Sequence, residues 1–170
     1  MQETPRANRL HIAIFGRRNA GKSSLINAIT GQEIALVSNV AGTTTDPVYK
    51  TMELLPLGPV VIIDTAGLDD TGEIGELRIK KTKEVMDKTD LAILLFTPES
   101  SDFSLEKEWY NELLQRNIPV IGVINKIDTA LSGSQNFELE EAFDIPFVRV
   151  SAKDKTNIGK LKEAIQINSP

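Results

Sequence analysis

The chain has 170 residues, of which 41% are hydrophobic and 25% charged, and this size and composition indicate one globular domain rather than a disordered or membrane-embedded chain. Its 19 basic and 24 acidic residues give a net charge of −5, which argues against a surface built to bind nucleic acid. Because there is no cysteine, disulfides and thiolate metal sites within this chain are excluded. The sequence shows no signal peptide and no long apolar run, so we expect a cytoplasmic protein.

The N-terminal part of the chain predicts a strand, a turn and a helix. Residues 1–8 are polar, and we expect them to form a flexible arm ahead of a single domain over residues 9–170, excised from a longer multidomain protein. The apolar run from Leu10 to Phe15 is typical of a buried strand. From Lys22 to Thr30 the apolar residues recur at helical spacing, and Gly31 stands where a helix C-cap is expected.

The middle of the chain predicts a loop, a hairpin and a second helix. Residues 32–46 are small, polar and rich in threonine without periodicity, which indicates a loop. Residues 48–55 and 60–63 are extended segments around a turn of proline and glycine, so we expect them to pair as a hairpin. A helix is predicted from about residue 77 to residue 87.

The second half of the chain alternates apolar strands with helical segments. The strands are predicted at residues 91–96, 120–124 and 147–150, and the helices at residues 105–116, 136–143 and 158–167. This alternation predicts a three-layer α/β fold with a mostly parallel six-stranded sheet, one antiparallel strand and helices on both faces. On the helix from residue 105, we expect Trp109 to be a packing residue. We expect that helix to expose Glu106, Glu108 and Glu112.

A phosphate-binding motif lies between the first strand and the first helix. Residues 16–23 fit G-x-x-x-x-G-K-[ST], in which backbone N–H groups and a helix N-terminus face phosphate oxygens. Lys22 is expected to reach the terminal phosphates, and the Ser23 hydroxyl to bind Mg²⁺. An ordinary glycine turn is disfavoured, because a chance match in this chain is about a one per cent event. The predicted contacts to the nucleotide are Asn19, Ala20, Gly21, Lys22, Ser23 and Ser24.

A second motif, Asp64-Thr65-Ala66-Gly67, follows the apolar strand at residues 60–63. The carboxyl end of such a strand is where an α/β sheet binds its ligands. We expect Asp64 to hold Mg²⁺ through water and the Gly67 N–H to contact a γ-phosphate. The four-letter pattern is weak alone and gains weight from the phosphate-binding motif before it.

Two further motifs indicate guanine. Asn125-Lys126-Ile127-Asp128 closes the strand at residues 120–124, and a carboxylate at Asp128 can accept hydrogen bonds from guanine N1–H and its amino group, which adenine cannot match. Lys126 is expected to pack along the base and Asn125 to tie this loop to the phosphate loop. Ser151-Ala152-Lys153 fits a second base loop, with the Ala152 N–H on guanine O6.

These motifs, in this order over nearly the whole chain, resemble those of Ras-like small GTPase domains. Within that superfamily the chain resembles the branch of bacterial tRNA-modification and ribosome-assembly GTPases. It is most similar to the GTPase domains of the HydF family of [FeFe]-hydrogenase maturation factors, on residues 16–24, 41–50 and 64–71. The resemblance implies a P-loop GTPase that binds GTP or GDP with Mg²⁺ and hydrolyses GTP slowly.

The resemblance also assigns roles in the switch loops. Thr44 is expected to reach Mg²⁺ when GTP is bound, although Thr43 or Thr45 could take that role. Thr45 stands where the tRNA-modification group usually shows arginine, which favours the HydF family. Leu68 replaces the water-orienting glutamine of Ras. Asn19 matches the asparagine with which related GTPases hold potassium beside the phosphates, so we expect potassium to stimulate hydrolysis.

A water-positioning residue is expected late in the second switch. The tRNA-modification relatives use a glutamate there, and gap-free counting from Asp64 carries it onto Glu76. The carboxylates of Asp69, Asp70 or Glu73 are alternatives for the same role. The residues assigned to catalysis are therefore Lys22, Thr44, Gly67 and Glu76.

The resemblance to the HydF family implies a switch in the assembly or delivery of the hydrogenase di-iron cluster. The expected partners are later domains of the same protein, other maturation proteins, the hydrogenase and a second copy of the chain, but neither a membrane nor a nucleic acid. An iron–sulfur cluster would belong to a later domain, since this chain has no cysteine. The alternatives are a GTPase of ribosome assembly or tRNA modification, and an interaction module whose hydrolysis is incidental.

Overall fold

The structure, a computed structural model, describes residues 9–16, 21–31, 48–54, 58–65, 75–96, 103–125 and 142–169, with the side chains of the second helix described from Ile79 onward. The strands of this part of the chain are β1 (Leu10–Gly16), β2 (Val48–Leu54), β3 (Gly58–Asp64), β4 (Leu91–Phe96), β5 (Val120–Ile124) and β6 (Phe147–Arg149). Its helices are α1 (Lys22–Thr30), α2 (Gly75–Asp87), α3 (Ser104–Gln115) and α4 (Ile158–Asn168).

The six strands form one sheet in the order β2-β3-β1-β4-β5-β6. β2 runs antiparallel to β3, and the other neighbours are parallel. The predicted six-stranded, mostly parallel sheet with one antiparallel strand is therefore confirmed. The hairpin is longer than predicted, because β3 already begins at Gly58, whose φ of 93° lets the chain turn into the strand.

Helices cover both faces of the sheet, and each face has its own hydrophobic core. Successive strand residues point to opposite faces, so Ile12 and Ile14 pack towards α1 and α4, while Ala13 and Phe15 pack towards α2 and α3. The strands β1, β4 and β5 are buried on both faces, which is why they read as unbroken apolar runs. No helix among the described residues has the length and apolar character needed to cross a membrane.

The first helix matches its prediction residue for residue. α1 runs from Lys22 to Thr30, and Gly31 follows in the left-handed conformation with a φ of 72°. The Gly31 N–H donates to the Asn27 carbonyl at 2.8 Å, which caps the helix end. The predicted helix at residues 136–143 lies almost wholly outside the described residues, as does the arm at residues 1–8.

α3 confirms one expectation and corrects another. Trp109 is buried, and its ring lies 5.7 Å from that of Phe15, as expected of a packing residue. Glu106, which we expected on the exposed surface, is instead only 1% exposed. The helical spacing explains the error, because Glu106, Trp109 and Leu113 recur three and four residues apart and share the buried face.

Candidate functional site

The carboxyl ends of the central strands meet at one edge of the sheet. β1 ends at Gly16 and β3 at Asp64, and Ile14 pairs directly with Asp64 between these two strands. β5 is followed by Asn125, and β6 by Val150 and Ser151. The described residues of the sequence motifs are therefore brought together at the edge where a parallel sheet binds its ligands.

The N-terminus of α1 opens onto this edge without a side-chain cap. Gly21 occupies the N-cap position with φ 90° and ψ 36°, a left-handed conformation that suits glycine. It has no side chain to accept from the first N–H groups of the helix, and Ser23 and Ser24 in the first turn are exposed. With the positive end of the helix dipole, these donors form a site that fits an anion such as a polyphosphate.

Lys22 is buried within this site. It is only 4% exposed, and its Nζ donates to the carbonyl oxygen of Gly16 at 2.8 Å. Burial lowers the pKa of Lys22 from 10.5 to about 7, against a smaller opposing effect of the Asp64 carboxylate. An anion at the N-terminus of α1 would favour the charged ammonium, so the lysine is suited to a phosphate ligand.

Asp64, the residue predicted to hold Mg²⁺, lies at the same edge of the sheet. It is 7% exposed at the end of β3, and the next residue is anchored because the Thr65 hydroxyl donates to the Ile14 carbonyl at 2.6 Å. Among the described residues, no group of three or more histidine and acidic side chains could hold a metal by itself. The chemistry of Asp64 and the Ser23 hydroxyl fits a Mg²⁺ ion whose other ligands come from phosphate and water.

The two predicted base loops are joined to each other. Asn125 is 2% exposed, its N–H donates to the Phe96 carbonyl at 2.8 Å, and its Oδ1 accepts from the Ala152 N–H at 2.9 Å. The sequence motifs predict that this N–H contacts guanine O6 and that Asn125 ties its loop to the phosphate loop. In this structure a contact from Ala152 to O6 must share or replace the bond to Asn125. Sequence reasoning missed this link, because nothing in either motif indicates a pairing between them.

The second base loop is closed at its own ends. The Ser151 N–H donates to the Thr156 carbonyl at 3.2 Å, and the Thr156 N–H donates back to the Ser151 carbonyl at 2.9 Å. Inside the loop, the Ser151 hydroxyl oxygen accepts from the Asp154 N–H at 3.2 Å. Ser151 and Ala152 are buried, and Lys153 is exposed. The bond at Ser151 thus shapes the loop that the motif predicted.

Packing between two strands also requires a glycine at position 16, independently of the phosphate motif. A Cβ atom at this position would lie 2.8 Å from the Cβ of Leu95 on β4, closer than side chains approach one another. The glycine lets β1 and β4 come together at the end of the strand that leads into the site.

Several predicted site residues are not tested by the structure. Glu76 lies in the first turn of α2, and its side chain is not described. The other predicted residues outside the described part of the chain are Asn19, Ala20, Thr44, Gly67, Lys126 and Asp128. Their roles stay predictions.

The comparison with protein families gives a match over most of the chain. Residues 11–126 match the family described as 50S ribosome-binding GTPase. The tRNA modification GTPase MnmE of Chromobacterium violaceum is 38% identical over 154 residues, which cover 90% of this chain and 33% of the relative. The MnmE of Mannheimia succiniciproducens is 37% identical over 162 residues, covering 92% of this chain and 35% of the relative. The chain thus spans about a third of the length of these curated relatives.

Solved structures show the same architecture. Era of Aquifex aeolicus bound to GDP·AlF4− superposes with a TM-score of 0.77 at 25% identity, covering 94% of this chain and 56% of that one. The G domain of the FeoB iron transporter of T. maritima superposes with a TM-score of 0.69 at 27% identity, covering 95% of this chain and 99% of that one. The family match and the geometry agree: the chain belongs to the 50S ribosome-binding GTPase family and is a Ras-like P-loop GTPase domain that binds GTP and GDP with Mg²⁺.

Proposed function

We propose that this domain hydrolyses GTP slowly and acts as the nucleotide-dependent switch of a larger protein. The observation that carries the proposal is the position of Lys22, a buried ammonium at the uncapped N-terminus of α1, beside the carboxylate of Asp64. A nucleotide polyphosphate at this helix N-terminus would bring further negative charge to Lys22 and favour its charged form. Such an anion also fits the N–H groups of a helix N-terminus that has no side-chain cap.

Each group of the site has a task in phosphoryl transfer. The N–H groups at the start of α1 and the Lys22 ammonium hold the β- and γ-phosphates and stabilise the negative charge that develops there. Mg²⁺, when bound, neutralises charge on the same oxygens. Ser23 and Asp64 would place it, the serine through its hydroxyl and the aspartate through water. Because the chain has leucine where Ras has the water-orienting glutamine, we propose a low intrinsic rate.

The preference for guanine over adenine can be tested by removing the carboxylate of Asp128. In Asp128→Ala, calorimetric titration should show weaker GDP binding and a loss of the preference for GDP over ADP, since the base edge loses its acceptor. Asp144→Ala removes an exposed carboxylate elsewhere and is the matched control. If ATP displaces bound GDP as readily as GTP does, or if Asp128→Ala keeps the purine preference, the proposal is wrong.

The wider process is proposed from the relatives. The curated relatives described above are tRNA modification GTPases, and their names favour a role in tRNA modification over hydrogenase maturation. The domain itself carries a net charge of −5, so we propose that other domains of the parent protein make any contact with RNA. We place that parent protein in the cytoplasm, with a homodimer as its working form.

Hydrogenase maturation is the second candidate. Its support is the loop at residues 41–50, in which Thr45 stands at a position where the tRNA-modification group usually has arginine. In this candidate the partners are the other maturation proteins and the hydrogenase. An interaction module with incidental hydrolysis is the third alternative.

One comparison separates these processes. Two proteins are compared: the full-length parent protein and a variant that binds GTP but does not cleave it. Each is supplied to a bacterial strain that lacks its tRNA modification GTPase, and each is also added to a hydrogenase maturation assay. We expect the wild type alone to restore the modified tRNA. Restored hydrogenase activity without tRNA modification would instead support the second candidate, and equal activity of both proteins would support the interaction module.

A further inference from the structure

Asn157 starts α4 in an unusual way. An asparagine at the N-cap of a helix normally has extended backbone angles, and its side-chain oxygen accepts from an N–H in the first turn. Here Asn157 is left-handed, with φ 63° and ψ 16°, and its side chain makes no such cap bond. Its Nδ2 instead donates to the carbonyl oxygen of Arg149 at 2.8 Å.

This bond closes the segment that contains the second base loop. Arg149 is the last residue of β6, and Asn157 directly precedes α4. Within this segment, Ser151 and Thr156 are also joined by two backbone hydrogen bonds. The Leu161 N–H donates to the Asn157 carbonyl at 3.1 Å, so the same residue also fixes the first turn of α4. The Asn157 amide therefore adds a link between the strand and the helix to the backbone bonds that close the loop.

The loop needs such a restraint because its backbone is strained. Lys155 is exposed and left-handed, with a φ of 60°, a conformation that costs free energy for a residue with a side chain. Asparagine tolerates this conformation better than most residues, which suits position 157. A free chain would relax at Lys155, and the surrounding hydrogen bonds oppose that relaxation.

We infer that Asn157 is a positioning residue for guanine recognition. Its amide keeps the loop at residues 151–156 folded before the nucleotide arrives, so binding does not have to order the loop, and only the Ala152 N–H has to share or exchange its bond to Asn125. The inference rests on the proposed function, a guanine-nucleotide switch, and on the sequence prediction that Ser151, Ala152 and Lys153 form its second base loop. It assigns to Asn157 a role in affinity for the base and no role in the phosphate chemistry.

Two substitutions at this position test the inference. Asn157→Asp keeps the size and the tolerance for left-handed angles but loses the donor to Arg149. Asn157→Gly keeps the backbone conformation and loses the side chain. We expect both to raise the Kd for GDP about fivefold to tenfold, as the loss of one partly buried hydrogen bond implies, with an unchanged kcat at saturating GTP. Asn117→Asp is the matched control, because Asn117 is also left-handed, with a φ of 57°, and lies outside the site.

A nucleotide that lacks O6 separates positioning from general destabilisation. The diphosphate of 2-aminopurine riboside has no oxygen for the loop amides, so its Kd should be the same for the wild type and both Asn157 variants. If GDP and this analogue weaken equally, or if Asn157→Gly binds GDP like the wild type, the inference is overturned. Should Asn157→Asp fail to fold, the glycine variant decides the matter. Failure of the wild type to bind GDP would instead contradict the proposed function.

Discussion

Replacing Lys22 with methionine should remove a pH dependence from the stability of the nucleotide-free domain. The perturbation exchanges a buried ammonium for an apolar chain of similar length. Burial lowers the pKa of Lys22 from 10.5 to about 7. The two pKa values differ by about 3.5, and each pKa unit corresponds to ~1.4 kcal/mol. The charged form of Lys22 therefore destabilises the folded domain by up to about 5 kcal/mol.

The sign of the effect follows from proton binding. Between the folded pKa of about 7 and the unfolded value of 10.5, the unfolded chain holds the Lys22 proton and the folded domain does not. The free energy of unfolding therefore rises with pH across this window, by at most about 1.4 kcal/mol per pH unit. Below the window both states are protonated, and the full cost is present without further pH dependence.

Urea unfolding from about pH 7.5 to about pH 9.5 measures this slope. The wild type should gain stability with rising pH by about 1 kcal/mol per pH unit more than Lys22→Met. The variant leaves the Gly16 carbonyl without the lysine donor, which costs about 1–3 kcal/mol at every pH, so the slope and not the absolute stability is diagnostic. Lys153→Met, at an exposed lysine, is the control. Equal slopes in the wild type and Lys22→Met would refute the reasoning.

Three further outcomes are expected. GDP binding at about pH 8.5 should be accompanied by the uptake of nearly one proton, because the phosphates favour the charged form of Lys22. Calorimetry in buffers of different ionisation enthalpy measures this uptake, and a binding enthalpy that is the same in all of them would contradict it. Gly122→Ala places a Cβ atom 2.5 Å from the Phe147 ring and should lower the free energy of unfolding by about 1–3 kcal/mol, with recovery in the double variant with Phe147→Leu. If Asn19 holds potassium, hydrolysis should be faster in potassium chloride than in sodium chloride at matched ionic strength, and equal rates would contradict that role.

Periodic segments with clear end signals could be predicted from the sequence. α1 begins after Gly21 and ends before the left-handed Gly31, and the strands β4 and β5 are short apolar runs with unambiguous ends. Their type and bounds depend on local chemistry, which the sequence shows directly. The motif at Gly16 to Ser23 likewise indicated an anion site, because glycine and lysine at this spacing have few other uses between a strand and a helix.

The contacts that link distant motifs could not be predicted in the same way. The burial of Glu106 depends on which face of α3 meets the sheet, and the bond from Ala152 to Asn125 joins residues 27 positions apart. The roles of Asn157 and Lys155 depend on left-handed backbone angles, which neither residue type requires. Tertiary packing decides all of these, and a single sequence shows packing only indirectly.

Two features that cost free energy lie where the nucleotide is expected to bind. At one end of the site is the buried ammonium of Lys22, and at the other is the left-handed loop that contains Lys155. The sheet between them is an ordinary apolar core with buried residues on both faces. A polyphosphate at the first point would relieve the desolvation of the lysine, and guanine at the second would add contacts to a loop that is already formed. The nucleotide should therefore contribute strongly to the stability of the domain, and a change in its phosphates acts directly on the buried lysine.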